Sequence, residues 1–348
     1  MWKHPKKRKG ITMENMTKTP DSCILNGVPK LHWGMKAEGQ VGFSFFPQCL
    51  HTVLEYVGQP ISYAEIAAFS GASFRLRWFE GGWAFWANDL RLTYGHDRLH
   101  PFKLALEGVG RKYTISEDFK SIVKPDAMAL IKTEIDSGRP LIALGVVGPP
   151  EPCIITGYKN NGETLVGWSF FQDDKSEYFT ADNWWSEGII AIGEKTDSTR
   201  TIKQVLANGL QLMTQDVLYP YKSDKDEGET WYGGQAAYEA WAKAMEDDNL
   251  TKSNSSMGEP TGMLQGRSDA AVYLNTIAEK LPFAKSDLTE CAKLLAAAGE
   301  CAAKIKELWS GDNAVEKEVR VKIAALIRQA AQHEKAACAV LEGIIGKI

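Results

Sequence analysis

An α+β fold, a central antiparallel sheet followed by an all-helical region, is predicted by three features of the sequence. Residues 138–172, GRPLIALGVVGPPEPCIITGYKNNGETLVGWSFFQ, carry the densest strand signal. Short helical patterns precede them, and the last third of the chain repeats apolar residues at three- and four-residue steps. Within the strand region Pro140 to Val147 is an apolar β-prone run that Gly148-Pro149-Pro150 breaks; Cys153 to Tyr158 begins a second run, and Asn160-Asn161-Gly162 turns into a third, Glu163 to Trp168. The prediction is a three-stranded meander. Its first two strands are apolar on both faces, which places them centrally in a sheet covered on each side. Glu151 stands out beside them. A carboxylate next to prolines at a strand start is either an exposed turn residue or a site carboxylate at the rim of the sheet.

Length and charge limit what the chain can be. At 348 residues it can hold a large core and a second domain or helical appendage. Lys plus Arg number 40 against 44 Asp plus Glu, and the net charge of -4 gives no general pull toward nucleic acid or an anionic membrane, so neither is expected as a partner. No apolar run has bilayer-spanning length, and the opening MWKHPKKRKGIT is basic without a signal-like apolar segment. A cytoplasmic location is expected, with Met13 as an alternative start to Met1. The six cysteines (Cys23, Cys49, Cys153, Cys291, Cys301, Cys338) form no CxxC pair, and the six histidines (His4, His32, His51, His96, His100, His333) form no HExxH. No metal, cofactor or disulfide framework is expected from such spacing.

In chain order, residues 1 to 22 read as a disordered basic lead and Cys23 to Gln40 as loop. Gln48 to Val57 has helical spacing at Cys49, Leu50, Val53, Leu54 and Val57, closed by Gly58 and Pro60. Ser62 and Glu65 form a capping-box pattern for a helix from 62 to 69. Phe74 to Trp86 gathers Phe74, Trp78, Phe79, Trp83, Phe85 and Trp86 around Arg75, Arg77 and Gly81-Gly82. Such a cluster packs a core with cation–π contacts or stacks on a planar ligand, which makes Arg75 and Trp78 candidate ligand residues. Helices are predicted from His100-Pro101 to Val109 and from Ala127 to Ile135, and a further strand over Gly188 to Gly193.

A polar boundary at 194–201 ends this domain, spanning 23–195, and a helical domain follows from 196 to 348. Val205 to Val217 reads as a helix, Tyr219 to Glu229 as a charged loop, and Thr230 to Met245 as an aromatic helix weakened at Gly233-Gly234. Residues 246 to 262 read as a mobile loop. Leu288, Cys291, Leu295, Ala298, Ala302, Ile305 and Trp309 form one stripe; Val319, Ile323, Leu326, Ala330, His333, Ala337, Val340 and Ile344 form another. Two long antiparallel helices are predicted across Ser310-Gly311-Asp312, with Asn313 and Glu316 capping the second. Cys291, Cys301 and Cys338 are expected as small core residues and His333 as a seam residue.

Two of these segments carry a family resemblance. FFPQCLHTVLEYVGQPIS (45–62) resembles the nucleophile-helix pattern CGPxALxxVLxYxGxxxS of papain-like, C39-like cysteine peptidases, in the group related to the N-terminal domain of the butirosin biosynthesis acyltransferase. PCIITGYKNNGETLVGW (152–168) resembles the HxxxxxGY strand pair of the same group. The resemblance covers Phe43 to Gly193 and implies a papain-like domain. It also implies where a Cys-His-Asp/Asn triad would fall, and none of its members is present. The nucleophile position holds Phe45, with Ser44 beside it and Cys49 one turn on; the histidine position holds Glu151; the orienting position falls at Trp168 or Ser169. A carboxylate beside a thiol raises the thiol pKa, so Glu151 is a poor stand-in for the histidine, and Ser44 with Glu151 lacks an imidazole shuttle. His51, two positions from Cys49, points away from it on a helix.

Three functions compete at this point. The leading one is a catalytically silent papain-like domain binding an amine-bearing small molecule or a peptide in the former cleft, with Phe45, Glu151, Cys153, Trp168 and Ser169 around its floor. The second is acyl transfer or amide hydrolysis by a displaced nucleophile, with Cys153, Glu151, Cys49 and Ser44 as candidates. The third is an interaction module whose alanine-rich C-terminal stripes pair two chains as a homodimer.

Overall fold

The computed structural model describes residues 15–31, 44–79, 89–94, 97–115, 124–173, 176–215, 217–221, 229–250, 258–309 and 316–348. It is α+β, with an antiparallel sheet and a helical C-terminal region. The chain divides into two compact units: Met1–Met35, Phe45–Ser62 and Val109–Thr199 form the first, and Lys36–Ser44, Tyr63–Gly108 and Arg200–Ile348 the second. The division falls between Thr199 and Arg200, and residues 63–108, read from sequence with the sheet domain, group with the C-terminal helices.

The first unit is built on an eight-stranded antiparallel sheet. Its strands are β1 (Met16–Thr19), β2 (Ser22–Leu25), β4 (Arg111–Ile115), β5 (Leu141–Leu144), β6 (Pro152–Lys159), β7 (Thr164–Trp168), β8 (Phe179–Asp182) and β9 (Gly188–Lys195). The predicted meander is present: β5 pairs with β6 and β6 with β7, and the Asn160-Asn161 turn takes the left-handed φ values of 51° and 56° that asparagine tolerates. β5 is buried throughout and β6 up to its last residue, so both faces are covered as their composition requires. One edge of β6 serves β5 and then β2, while the other serves β7. The β1–β2 hairpin corrects two expectations, the disordered lead to residue 22 and the loop from Cys23. Residues 1–14 lie outside the described residues.

Helix α1 (Phe45–Tyr56) starts three residues before its predicted limit and packs on β5 and β6. Gly58, at φ 75°, ends it in the left-handed conformation that a side chain resists. Helix α4 (Lys124–Asp136) packs on β2, β5, β6 and β9.

The second unit contains α2 (Tyr63–Ser70), β3 (Arg77–Phe79), α3 (His100–Val109), α5 (Ile202–Thr214), β10 (Val217–Tyr221), β11 (Glu229–Gly233), α6 (Gly234–Glu246), α7 (Gly258–Ala278), α8 (Lys285–Leu308) and α9 (Lys317–Ile345). Three corrections arise here. Of the charged loop expected over 219–229, residues 219–221 and Glu229 belong to β10 and β11, which form a small antiparallel sheet with β3, and 222–228 lie outside the described residues. The aromatic helix from Thr230 therefore begins only at Gly234, whose φ of 52° marks the change from strand to helix. Residues 258–262 of the expected mobile loop belong instead to α7, and 251–257 lie outside the described residues. Trp83, Phe85, Trp86, Gly81-Gly82, Ser310-Gly311-Asp312 and Asn313 lie outside the described residues.

The α8 stripe is buried as predicted from Leu288 to Ile305. On α9 the buried stripe is turned about one residue from the predicted one: Arg320, Ile327, Glu334 and Leu341 are buried with Ile323, Ala330, Ala337 and Ile344, and His333 stands half-buried at the margin. Helices α7 and α8 pass closely. A Cβ on Gly299 would stand 3.0 Å from the backbone nitrogen of Ser268. Gly299→Val is accordingly expected to lower stability by about 1–3 kcal/mol through overpacking at that crossing. A denaturation midpoint equal to wild type would contradict it.

Candidate functional site

In the first unit, α1 and two loops converge. The turn between β5 and β6 (145–151) holds Gly145 at φ 81° and Gly148 at φ 84°, and the Gly145 amide donates to the Glu151 carbonyl at 3.2 Å. A Cβ on Gly148 would come within 2.5 Å of the Phe171 side chain, so glycine is what lets the 169–172 loop close on this turn. Ser169 fastens the two loops by donating its Oγ hydrogen to the Val147 carbonyl at 3.1 Å, and its backbone N–H donates to Gln172 Oε1 at 2.8 Å. Phe45, the first residue of α1, sets its ring 4.9 Å from Phe170 and 5.7 Å from Phe171. Phe45, Glu151 and Ser169 thus belong to one assembly, with Glu151 half-buried.

The two cysteines behind this rim are held as neutral thiols. Cys49 is fully buried and donates its Sγ hydrogen to the Pro152 carbonyl at 3.6 Å. Burial first, then Cys153 and the Glu151 charge, raise its pKa well above the ordinary thiol range. Burial pushes Cys153 up to about 12. His51 is engaged elsewhere, its Nδ1–H donating to the Ile61 carbonyl at 2.7 Å. A thiol without an accepting base is not a nucleophile at neutral pH.

Trp168 takes a different place from the one expected. It opposes Ile154 across β6–β7, and opposed residues share a sheet face, so alternation puts Trp168 on the face away from Cys153. There its indole N–H donates to the Val28 carbonyl at 2.9 Å and its ring meets Tyr178 edge-on at 4.8 Å. Ser44, Arg75 and Trp78 belong to the second unit. Ser44, Tyr63, Ser73, Arg75 and Asp269 line a cavity of about 10 Å³, room for one water. Trp78 stacks on Trp241 at 6.1 Å and 13°, which is core packing.

Sequence reasoning passed over Gln48. It lies on α1 one turn from Phe45 and is fully buried, yet neither Nε2 nor Oε1 has a hydrogen-bond partner among the described residues. Its only signal was a polar residue at helical spacing between Phe45 and Cys49. Among the described residues no group of three or more His, Cys, Asp or Glu is placed to hold a metal ion, and no helix is long and apolar enough to cross a membrane. No family model and no curated protein matches the chain.

Proposed function

We propose that the first unit is a papain-like domain that binds a ligand in place of performing cysteine chemistry. The ligand is a small molecule or peptide that presents an amine to the rim of Phe45, Glu151 and the 169–172 loop. The observation that carries the reading is Gln48, because burying an unpaired amide costs about 1–3 kcal/mol and is maintained only where the group has a use. One donor and one acceptor one turn from Phe45, with a carboxylate on the neighbouring turn, suit an ammonium group with a polar substituent. The alternative, acyl transfer or hydrolysis by a displaced nucleophile, needs a thiolate, and burial pushes both Cys49 and Cys153 away from one.

Two substitutions test this. Gln48→Met keeps the volume and removes both polar groups, so the unliganded protein is expected to gain about 1–3 kcal/mol in urea unfolding. Affinity for primary amines, measured by calorimetry over a panel from ethanolamine to spermidine, is expected to fall, and about tenfold in Glu151→Gln. Loss of stability in Gln48→Met would reveal a structural role for the amide. Failure of the folded wild-type protein to bind any amine would defeat the reading of Glu151.

A further inference from the structure

The small sheet of the second unit brings two buried N–H donors onto one face. Register pairs Phe79 with Trp231 and Arg77 with Gly233. Opposed residues share a face, as do residues two apart along a strand, so Arg77, Phe79 and Trp231 lie on the same side of β3 and β11. The Phe79 and Trp231 rings meet at 4.9 Å with a 36° tilt. Arg77 and Trp231 are each 3% exposed.

Each donor keeps an N–H without an acceptor among the described residues. The Arg77 guanidinium donates from Nη2 to the Asp89 carbonyl at 3.2 Å and to Thr93 Oγ1 at 3.4 Å, while its Nε and the Trp231 Nε1 have no acceptor among the described residues. The nearby carboxylate is already committed: Arg91 Nε donates to both oxygens of Asp89, at 3.0 and 2.8 Å. Arg75 Nη1 shares the Asp89 carbonyl with Arg77, at 3.0 Å. Two buried guanidinium groups thus converge on one neutral oxygen. Burial and then the charge of Arg75 disfavour the charged form of Arg77, while the Asp89 charge favours it. Arginine nevertheless stays protonated in proteins, so the Arg77 Nε–H remains a charged donor.

We propose that this face of the β3–β11 pair is an oxyanion-binding site, in which carboxylate or phosphate oxygens accept from Arg77 Nε and Trp231 Nε1 above the Phe79 ring. The site is independent of the amine reading, since it lies in the other unit and takes a ligand of opposite charge.

The test is calorimetric titration of the full chain with sodium phosphate and, separately, sodium benzoate, at constant ionic strength set with chloride. Saturable binding of one of them is expected, and which one saturates identifies a phosphate or a carboxylate ligand. Arg77→Lys keeps the charge and removes Nε, and affinity is expected to fall about tenfold. Trp231→Phe keeps an aromatic ring and removes the donor, with an expected fall of about fivefold. Should Arg77→Lys fail to fold, Trp231→Phe carries the test alone. The proposal is overturned if neither anion saturates the wild-type protein, or if the folded variants bind as tightly as wild type.

Discussion

Glu334→Ala is expected to lose about 3–5 kcal/mol of stability, read as a fall in the urea midpoint with an unchanged slope, because it strands a buried guanidinium. Glu334 on α9 and Arg267 on α7 are both fully buried and form an ion pair, with Arg267 Nε donating to Glu334 Oε2. Tyr238 on α6 donates to the same oxygen at 2.8 Å, and Arg267 Nη1 reaches the carbonyls of Ser73 at 3.1 Å and Arg75 at 2.8 Å. One charge pair thereby joins three helices to the segment entering β3. Burial works to lower the Arg267 pKa, but the neighbouring Glu334 charge outweighs it and raises it; burial, then the Glu334 charge, hold the Tyr238 hydroxyl well above the usual phenol range. Removing the carboxylate alone leaves the guanidinium with two carbonyls and no counter-charge. Replacing both partners, Arg267→Met with Glu334→Leu, is expected to return stability to within about 1–2 kcal/mol of wild type, since the cost of desolvating both ions disappears as well. A single variant as stable as wild type would mean that water reaches the pair.

This pair also shows what the sequence conceals. The meander was legible because its signals are local: apolar runs, a Gly-Pro-Pro break and an Asn-Asn-Gly turn. Helix α7 was not, because Gly258, Pro260, Gly262, Gly266, Arg267 and Asp269 argue against an amphipathic helix until tertiary partners for the buried charges are known. Glu334 and Arg320 misled in the same way. They are polar residues at buried positions, and setting them aside as solvent-facing turns the predicted α9 stripe by about one residue. The β1–β2 hairpin was hidden by its polarity, since three of the four β1 residues are exposed. At the rim, Glu151 stands out locally as a carboxylate beside prolines at a strand start, whereas Phe45 and Ser169 were reached only through the resemblance. The facing of Trp168 could not be read from either, because it depends on which residue of β6 it opposes. Nor could Gln48, since an unpaired amide is defined by what surrounds it.

Alkylation of the native protein at neutral pH is expected to be slow at every one of the six cysteines, which are all buried and free. Cys153, Cys291 and Cys338 are each pushed up to about 12 by burial, from an ordinary 9.0, which lowers their thiolate fraction about a thousandfold. Cys49 moves in the same direction, from burial and then from Cys153 and Glu151. Peptide-resolved labelling in native buffer should therefore run about a thousandfold slower than in urea at these positions. The same shifts set an alkaline limit. A thiol that ionises less readily folded than unfolded contributes stability that is complete below the unfolded pKa near 9 and is lost as pH rises toward 12. The slope is about 1.4 kcal/mol per pH unit for each such thiol. Cys153→Ala should flatten that slope without altering amine binding, because the thiol lies behind the rim and has no role in it. Fast labelling of Cys49 or Cys153 alone would show a stabilised thiolate at the rim. That would return the domain to cysteine chemistry with the labelled residue as nucleophile, and Glu151 would then have to act on the reaction rather than on a bound amine.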